Sequence, residues 1–398
     1  TQEFRLLSNE QGRLFDRADW LLGVFVQQLD EDIERLDLGR DSGFFCPDPC
    51  TTTVASGFEA TSGALFGPLD VPLTERLDLT AGLRVERREA EYAEDFGFAT
   101  TGFEFDVQNA FEPTDRLWGG ELALNYRWTD RAQLYGRVAR GYKAGGFNVG
   151  LARADLGAPG AILGSEDIPY DKEALWNVEL GLRRSSDDGR WNVDLAVFWQ
   201  QRDDMQVKIP FQVQPGDPNT FLFLTANAEQ GRALGAELAG SWQALDSLRL
   251  DASLGLLQTE VREFSFLDRL LGEPGFESLQ GLVGRDFAHA PRYSYSVAAN
   301  WSGPSGIDAR AELWGRDRFY FDFGHNERSS AYNVVNLSLG KTWRQLSVTA
   351  WVRNAFDETY AVRGFFFGNE PPAFPNRLYL RLADPRQYGV TLQYRFGG

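Results

Sequence analysis

Nine residues near the end of the chain, Tyr388 to Phe396, alternate without a break. Tyr388, Val390, Leu392, Tyr394 and Phe396 fall on one face, and Gly389, Thr391, Gln393 and Arg395 on the other. Successive side chains of a β-strand point to opposite sides, so this stretch predicts a strand with one wholly apolar face. The same alternation recurs along the chain. Its apolar sets run Trp20 to Val26, Leu77 to Val85, Leu122 to Trp128, Trp176 to Leu182, Trp191 to Trp199, Leu234 to Trp242, Leu248 to Leu256, Tyr293 to Trp301, Ile307 to Leu313, Val335 to Leu339 and Leu346 to Val352. With fainter segments at Gln2 to Ser8, Leu65 to Val71 and Gln133 to Lys143, the expectation is about 15 strands. Many of these segments match the roughly 9–11 tilted residues that cross a bilayer, and several carry aromatics at both ends.

The connections between strands alternate in length. Short turns are expected at Asn9 to Arg17, Pro72 to Glu75, Trp128 to Arg131, Ser185 to Arg190, Ala244 to Ser247, Ser302 to Gly306 and Lys341 to Arg344. Between them lie long, acidic, aromatic loops, at Asp30 to Glu59, Tyr92 to Thr114, Ala144 to Tyr170, Asp203 to Asn219, Thr259 to Ala290, Asp317 to Ser330 and Thr359 to Arg386. A soluble sandwich has no reason to keep every second connection short, whereas an outer-membrane barrel has short periplasmic turns and long outside loops. With the last strand running inward, the chain opens on an inward-running strand. An odd strand count does not close a single-chain antiparallel barrel, so an N-terminal part of the sheet is expected to lie outside this sequence.

Composition narrows the class. Mean hydropathy is -0.36 in 398 residues, and no apolar run approaches the ~18 residues of a membrane helix, so any crossing is by strands. The net charge of -17 argues against nucleic acid, whose phosphates require a basic surface. The chain starts at Thr1, has its single methionine at Met205 and carries no leader, as expected of a mature or truncated piece. Its two cysteines, Cys46 and Cys50, are too few for a four-ligand zinc site, and the histidines, His289 and His325, are distant in sequence. A loop-stiffening disulfide is expected of the pair, with free thiols as the alternative, and no metal or cofactor is expected.

Tyr135 to Asn148 ends in Gly-Tyr-Lys-Ala-Gly-Gly-Phe-Asn, Val352 to Tyr360 contains Asn-Ala-Phe-Asp-Glu-Thr-Tyr, and Asp384 to Phe396 begins Asp-Pro-Arg-Gln-Tyr-Gly. Together these segments resemble the TonB-dependent outer-membrane receptors. Gln2-Glu-Phe-Arg-Leu, Ala81-Gly-Leu-Arg84 and Gly235-Ala-Glu-Leu238 are fainter echoes, and Gly397 and Gly398 follow Phe396, where the family usually stops on the aromatic. The resemblance implies an all-β, antiparallel transmembrane barrel of 22 strands with an N-terminal plug in its lumen. Residues 1–398 would be the C-terminal part of that barrel, with the plug and its TonB-contacting box outside this sequence. It also implies a bacterial outer-membrane location, TonB with its inner-membrane energising complex and membrane lipid as partners, and a scarce ligand, by default a ferric siderophore. The alternative is a passive, porin-like channel.

Aromatics supply rigid contact area and arginines pair with carboxylates, so ligand contacts are expected in the outside loops. The candidates are Phe44 and Phe45; Tyr142, Lys143 and Phe147; Phe319, Tyr320, Phe321 and Phe323; and Arg363, Phe365, Phe366 and Phe367. The bland alternative for each is packing within the loops. Gly141 to Gly146 lacks the ending of a phosphate loop and reads as a strand rim bending into a loop. In Asn354 to Tyr360, Asn and Asp are expected to bond local backbone at a strand exit. Hydrolysis would need a base beside a nucleophile, and only His289, near Asp286, and His325 offer imidazole, so no enzyme is expected.

Overall fold

The structure, a computed structural model, describes residues 1–39, 50–151, 163–212, 221–271, 280–375 and 377–396. The chain opens with β1 (Gln2–Leu7), β2 (Asp19–Gly39), β3 (Cys50–Thr74), β4 (Leu77–Thr100), β5 (Phe103–Phe111), β6 (Thr114–Thr129) and β7 (Ala132–Lys143). Two-residue ladders β8 (Gly146–Phe147) and β9 (Pro169–Tyr170) precede β10 (Glu173–Ser185), β11 (Trp191–Gln212), β12 (Phe221–Leu245) and β13 (Leu248–Glu263). A short helix, α1 (Phe266–Leu270), leads to β14 (Tyr293–Ser302), β15 (Ile307–Arg316), β16 (Tyr332–Trp343), β17 (Leu346–Arg353), β18 (Ala361–Phe367), β19 (Arg377–Leu382) and β20 (Gln387–Tyr394).

One antiparallel sheet of 16 strands holds nearly all of this. It runs in chain order from β1 to β20, with β5 branching off β4 and the pairs β8–β9 and β18–β19 standing apart, so 15 strands lie on its path. Each period-two segment occupies one wall strand. Register sets apolar residues opposite one another: Leu182 faces Leu195, which faces Leu238, and Leu180 faces Val197, which faces Ala236. The apolar side is therefore a continuous band, and it is exposed, with Leu180 at 65% and Val390 at 64% of full accessibility. A band of this extent in contact with water marks a surface made for another phase. No helix among the described residues is long and apolar enough to cross a membrane.

The opposite face is polar and internally paired. Tyr135 donates to Glu179 at 2.8 Å, Arg137 meets Glu121 at 2.7 Å, and Asn336 and Arg310 both reach Glu312, at 3.0 and 2.7 Å. Asn300 donates to Asp251 at 2.7 Å, and Arg183 lies 3.6 Å from Asp194.

The outer connections differ from the loops expected. β2 has 21 residues, β3 25, β4 24, β11 22 and β12 25. At about 3.3 Å per residue a 25-residue strand is about 80 Å long, and even tilted by about 40° it spans about twice a hydrocarbon core of about 30 Å. Much of Asp30 to Glu59, Tyr92 to Thr114 and Asp203 to Asn219 is thus hairpin standing beyond the apolar band. Such strands have no lipid-facing side, so their sequence keeps charged residues where the wall keeps leucine and valine.

Candidate functional site

The long-loop end of the sheet is covered by packed structure that starts from the Gly-Gly-Phe-Asn segment. A side chain on Gly145 would meet the Tyr170 carbonyl oxygen at 2.6 Å, so this glycine is required for the close approach of two backbones, and one on Gly146 would meet the Tyr170 hydroxyl at 2.4 Å. Phe147 then stacks on Tyr92, centroids 4.4 Å apart and planes within 7°. Asn148 is buried, donates to the Thr225 and Asp167 carbonyls at 2.9 and 3.0 Å, and accepts from the Thr225 amide at 2.8 Å. Arg269 of α1 forks onto Asp167, 2.8 Å to each oxygen. Around these contacts Val54, Phe96, Leu151, Ile168, Val207, Ile209, Leu224, Leu267 and Leu270 form a buried cluster.

A buried carboxylate sits inside this cluster. Glu94 is 2% exposed; one oxygen accepts from the Tyr92 hydroxyl and the Gly150 amide, each at 2.6 Å, and the other has no partner. Burial first, and then the Glu94 charge, push the Tyr92 phenol far above its ordinary pKa, so it remains a donor.

A single residue turns β11 inward. Asp204 has φ 52°, and beyond it the alternation changes sides: Met205 lies over Gly231, a position whose neighbour along the same face, Gly235, is covered by Phe198. Met205, Val207 and Ile209 are buried as a result, whereas Trp191, Val193, Leu195, Val197 and Trp199 are not. The partly buried Asp204 carboxylate is crowded by Asp171, Asp203 and Glu229, and its pKa is raised by burial and then by these charges.

The second cluster holds Phe319, Phe321, Tyr332, Val334, Tyr360 and Ala361. Arg285, itself buried, donates to the His325 and Asp322 carbonyls at 2.6 and 3.0 Å and to the Asn326 side chain at 2.8 Å, and lies 4.3 Å from the Tyr320 ring centre. His325 contacts Asp322 at 3.2 Å and stacks on Phe366 at 3.8 Å. Asp286 pairs with Arg292 at 3.0 Å. At the strand exit Asn354 accepts from the Glu358 amide at 2.8 Å and donates to the Glu358 and Asp384 carbonyls, while Asp357 accepts from the Arg386 amide at 2.7 Å. Side chains of the Asn-Ala-Phe-Asp segment thus staple the start of the last connection to its end.

The expected ligand residues separate into two groups. Phe319, Tyr320, Phe321 and Phe366 are buried, and Phe147 is held in the stack on Tyr92, so loop packing is their visible role. Tyr142 is partly covered and accepts from Arg84 at 2.8 Å while donating to Glu86 at 2.7 Å; Phe323 packs near Phe287, ring centres 6.3 Å apart. Lys143 and Arg363 are exposed, and Phe365 and Phe367 half-exposed. Phe44, Phe45 and Cys46 lie outside the described residues, while Cys50 is buried at the start of β3.

The hairpin β18–β19 explains the division. Phe366 and Leu378 are opposite one another, Phe366 buried in its stack on His325 and Leu378 packed against the second cluster; the alternate positions put Arg363 opposite Arg381, Phe365 opposite Tyr379 and Phe367 opposite Arg377 on the other face. Arg381, Arg377 and Tyr379 are exposed, and Phe365 stacks at 6.0 Å on Phe223, over which Lys208 sits at 4.6 Å. Arg377, Tyr379 and Arg381 escape a reading of the sequence because period-two pairing across the hairpin is needed to bring them beside Arg363 and Phe365, and Lys208 and Phe223 because they arrive from β11 and β12 by packing on Phe365. Arg377 pairs with Glu370 at 2.8 Å, and the Arg363 and Arg381 guanidinium groups beside three aromatic rings can hold an anionic, ring-bearing ligand. No group of three or more His, Cys, Asp or Glu among the described residues could hold a metal ion.

Comparison with known proteins gives consistent matches. A family model described as TonB dependent receptor-like, beta-barrel matches residues 4–355. The pesticin receptor of Yersinia pestis is 26% identical over 322 residues, 79% of this chain and 42% of that receptor, so the chain spans less than half the length of this relative. The ferric yersiniabactin uptake receptor FyuA from Yersinia pestis superposes with a TM-score of 0.70 at 21% identity, over 99% of this chain and 53% of that one. The siderophore receptor PiuA from Acinetobacter baumannii does so with a TM-score of 0.61 at 14% identity, over 94% and 56%.

Proposed function

Because this chain belongs to the TonB-dependent receptor-like β-barrel family, we propose that it is the C-terminal barrel portion of an outer-membrane receptor importing a ferric siderophore. Import draws its energy from TonB and the inner-membrane complex that drives it. The observation that carries the reading is the outer face of β18–β19, where Arg363, Arg377 and Arg381 stand beside Phe365, Phe367 and Tyr379 in a chain of net charge -17. A ferric chelate offers carboxylate or phenolate oxygens and flat ring surface, which are the groups such a face recognises. Two structural neighbours are a ferric yersiniabactin uptake receptor and a siderophore receptor, which supports the same reading.

Binding and energy input are separate parts of the mechanism. Arginines and aromatics beyond the membrane capture the chelate from dilute solution. An N-terminal plug closes the lumen, where the polar wall around Glu121, Arg137 and Glu179 offers it hydrogen bonds, and TonB remodels that plug to release the cargo inward. The test is uptake of iron-labelled chelates by a deletion strain carrying the full-length gene, with and without TonB. TonB-dependent uptake of at least one chelate is expected. Uptake that persists without TonB means a passive channel, and unimpaired growth of the deletion strain on every iron source counts against iron chelates.

A further inference from the structure

The outward face of β6 is one row of Trp118, Gly120, Leu122, Leu124, Tyr126 and Trp128, bounded by indoles. Its ten steps at about 3.3 Å, tilted by about 40°, span about 25 Å, the height of a barrel's lipid-facing band. Trp118 lies at the long-loop end, with the Trp176 ring centre 5.8 Å away on the same outward face. Immediately at and beyond these indoles the face becomes basic. Arg140 lies 4.2 Å from the Trp118 ring centre and 6.0 Å from that of Trp176, and donates to the Trp118 carbonyl. Arg116 is the next outward residue of β6, and Lys172 reaches its carbonyl at 3.3 Å.

The charges are poorly compensated. Arg116 stands directly across from Arg87, a like-charge pair that destabilises a sheet unless an anion intervenes. Arg87 has Glu89 at 2.6 Å, but Arg116, Arg140 and Lys172 have no carboxylate within ion-pair distance among the described residues. Arg140 is held by the Trp118 carbonyl and two indoles and Lys172 by the Arg116 carbonyl, so in a chain with 57 acidic and 40 basic side chains this outward patch keeps three cations available to an anion from outside the protein. Facing away from the lumen, at the height where hydrocarbon ends, that anion is a lipid headgroup.

We propose that Arg116, Arg140 and Lys172, framed by Trp118 and Trp176, form a seat for the phosphorylated headgroup of an outer-leaflet lipid. The indoles lie along the upper acyl chains while the cations hold phosphate oxygens. This rests on the outer-membrane reading above.

The test uses the full-length receptor in detergent and measures binding of bis-phosphorylated lipid A, dephosphorylated lipid A and inorganic phosphate. The combined variant Arg116→Gln, Arg140→Gln, Lys172→Gln is expected to lose about tenfold or more in affinity for phosphorylated lipid A. Arg116→Lys with Arg140→Lys keeps the charge and retains binding, as does Arg190→Gln with Arg344→Gln at the opposite end. Should the combined variant fail to give a heat-modifiable folded barrel, Arg116→Gln and Lys172→Gln are tested singly, each expected to weaken binding about threefold. Unchanged affinity in these variants, equal binding of dephosphorylated lipid A, or displacement of the lipid by equimolar inorganic phosphate would overturn the proposal. A wild-type receptor missing from the outer-membrane fraction sinks the outer-membrane reading instead, which separates the two failures.

Discussion

Asn148 and Thr225, 77 residues apart, exchange two hydrogen bonds: the Asn148 side-chain amide donates to the Thr225 carbonyl at 2.9 Å and accepts from its N–H at 2.8 Å. A side chain thereby does what a neighbouring strand would do for β12, and the loop after β7 is fixed to that strand. Asn148→Ala takes the partner from the part-buried Thr225 N–H and carbonyl and from the buried Asp167 carbonyl. The outer structure is expected to lose about 2–4 kcal/mol, seen as faster amide exchange in β12 above Gly231, with the wall strands unchanged.

Tyr92 and Glu94 form a second buried lock. Tyr92→Phe removes the donor from a carboxylate whose other oxygen already lacks a partner, and is expected to cost about 1–3 kcal/mol. Glu94→Gln keeps the size and acceptor while removing the buried charge, and is expected to be tolerated better. Denaturant midpoints of the two variants, compared with wild type, decide the order.

Asp204 carries a pH signature. Its folded pKa is raised by burial and by Asp171, Asp203 and Glu229, so this group's favourable share of stability is fully present below its unfolded pKa and lost as pH rises through the folded value. Asp204→Asn is therefore expected to raise stability at pH 7 and to leave it unchanged at pH 3. Asparagine also tolerates the left-handed backbone at φ 52°, whereas Asp204→Val is expected to destabilise at both pH values.

The hairpin β18–β19 predicts a split between affinity and stability. Arg363→Ala and Arg381→Ala on its outer face are expected to weaken chelate binding about tenfold or more with little change in melting. Phe366→Ala, on the buried face against His325, is expected to cost about 3–5 kcal/mol of stability. Binding isotherms and melting curves of the same preparations separate the two faces.

For Cys46 and Cys50 we expect a disulfide, with no thiol titrating in residues 1–398 unfolded without reductant and two after reduction. Closing so short a loop stabilises by only roughly 2 kcal/mol in the chain-entropy picture. Two thiols before reduction would rule it out.

The wall of the barrel was legible because lipid demands apolar residues at every second position, and Trp191, Val193, Leu195, Val197 and Trp199 satisfy that demand residue by residue. The alternating turn lengths were legible for the same reason, since the chain must reverse at each membrane surface. The hairpins beyond the band were not, because there the alternation is inverted: Glu89, Glu91 and Asp95 take the outer face toward water while Ala90, Tyr92 and Phe96 are buried, so no lipid-facing apolar row announces a strand. The inward turn of β11 hangs on the backbone of Asp204, which no side-chain pattern announces. The aromatics were legible as important but not as buried or exposed: Phe365 and Phe366 are chain neighbours, and only the pairing of β18 with β19 decides which of them meets solvent.

The direction of the wall faces is the claim on which the rest depends. Nitroxide labels introduced singly at Asp194, Leu195, Ala196 and Val197 in native outer membranes, read by power saturation against oxygen and a water-soluble nickel chelate, measure it directly. Oxygen-dominated relaxation at Leu195 and Val197, alternating with nickel-accessible or protein-shielded Asp194 and Ala196, is the predicted result; the same environment at all four positions, or nickel access at Leu195 and Val197, would contradict it.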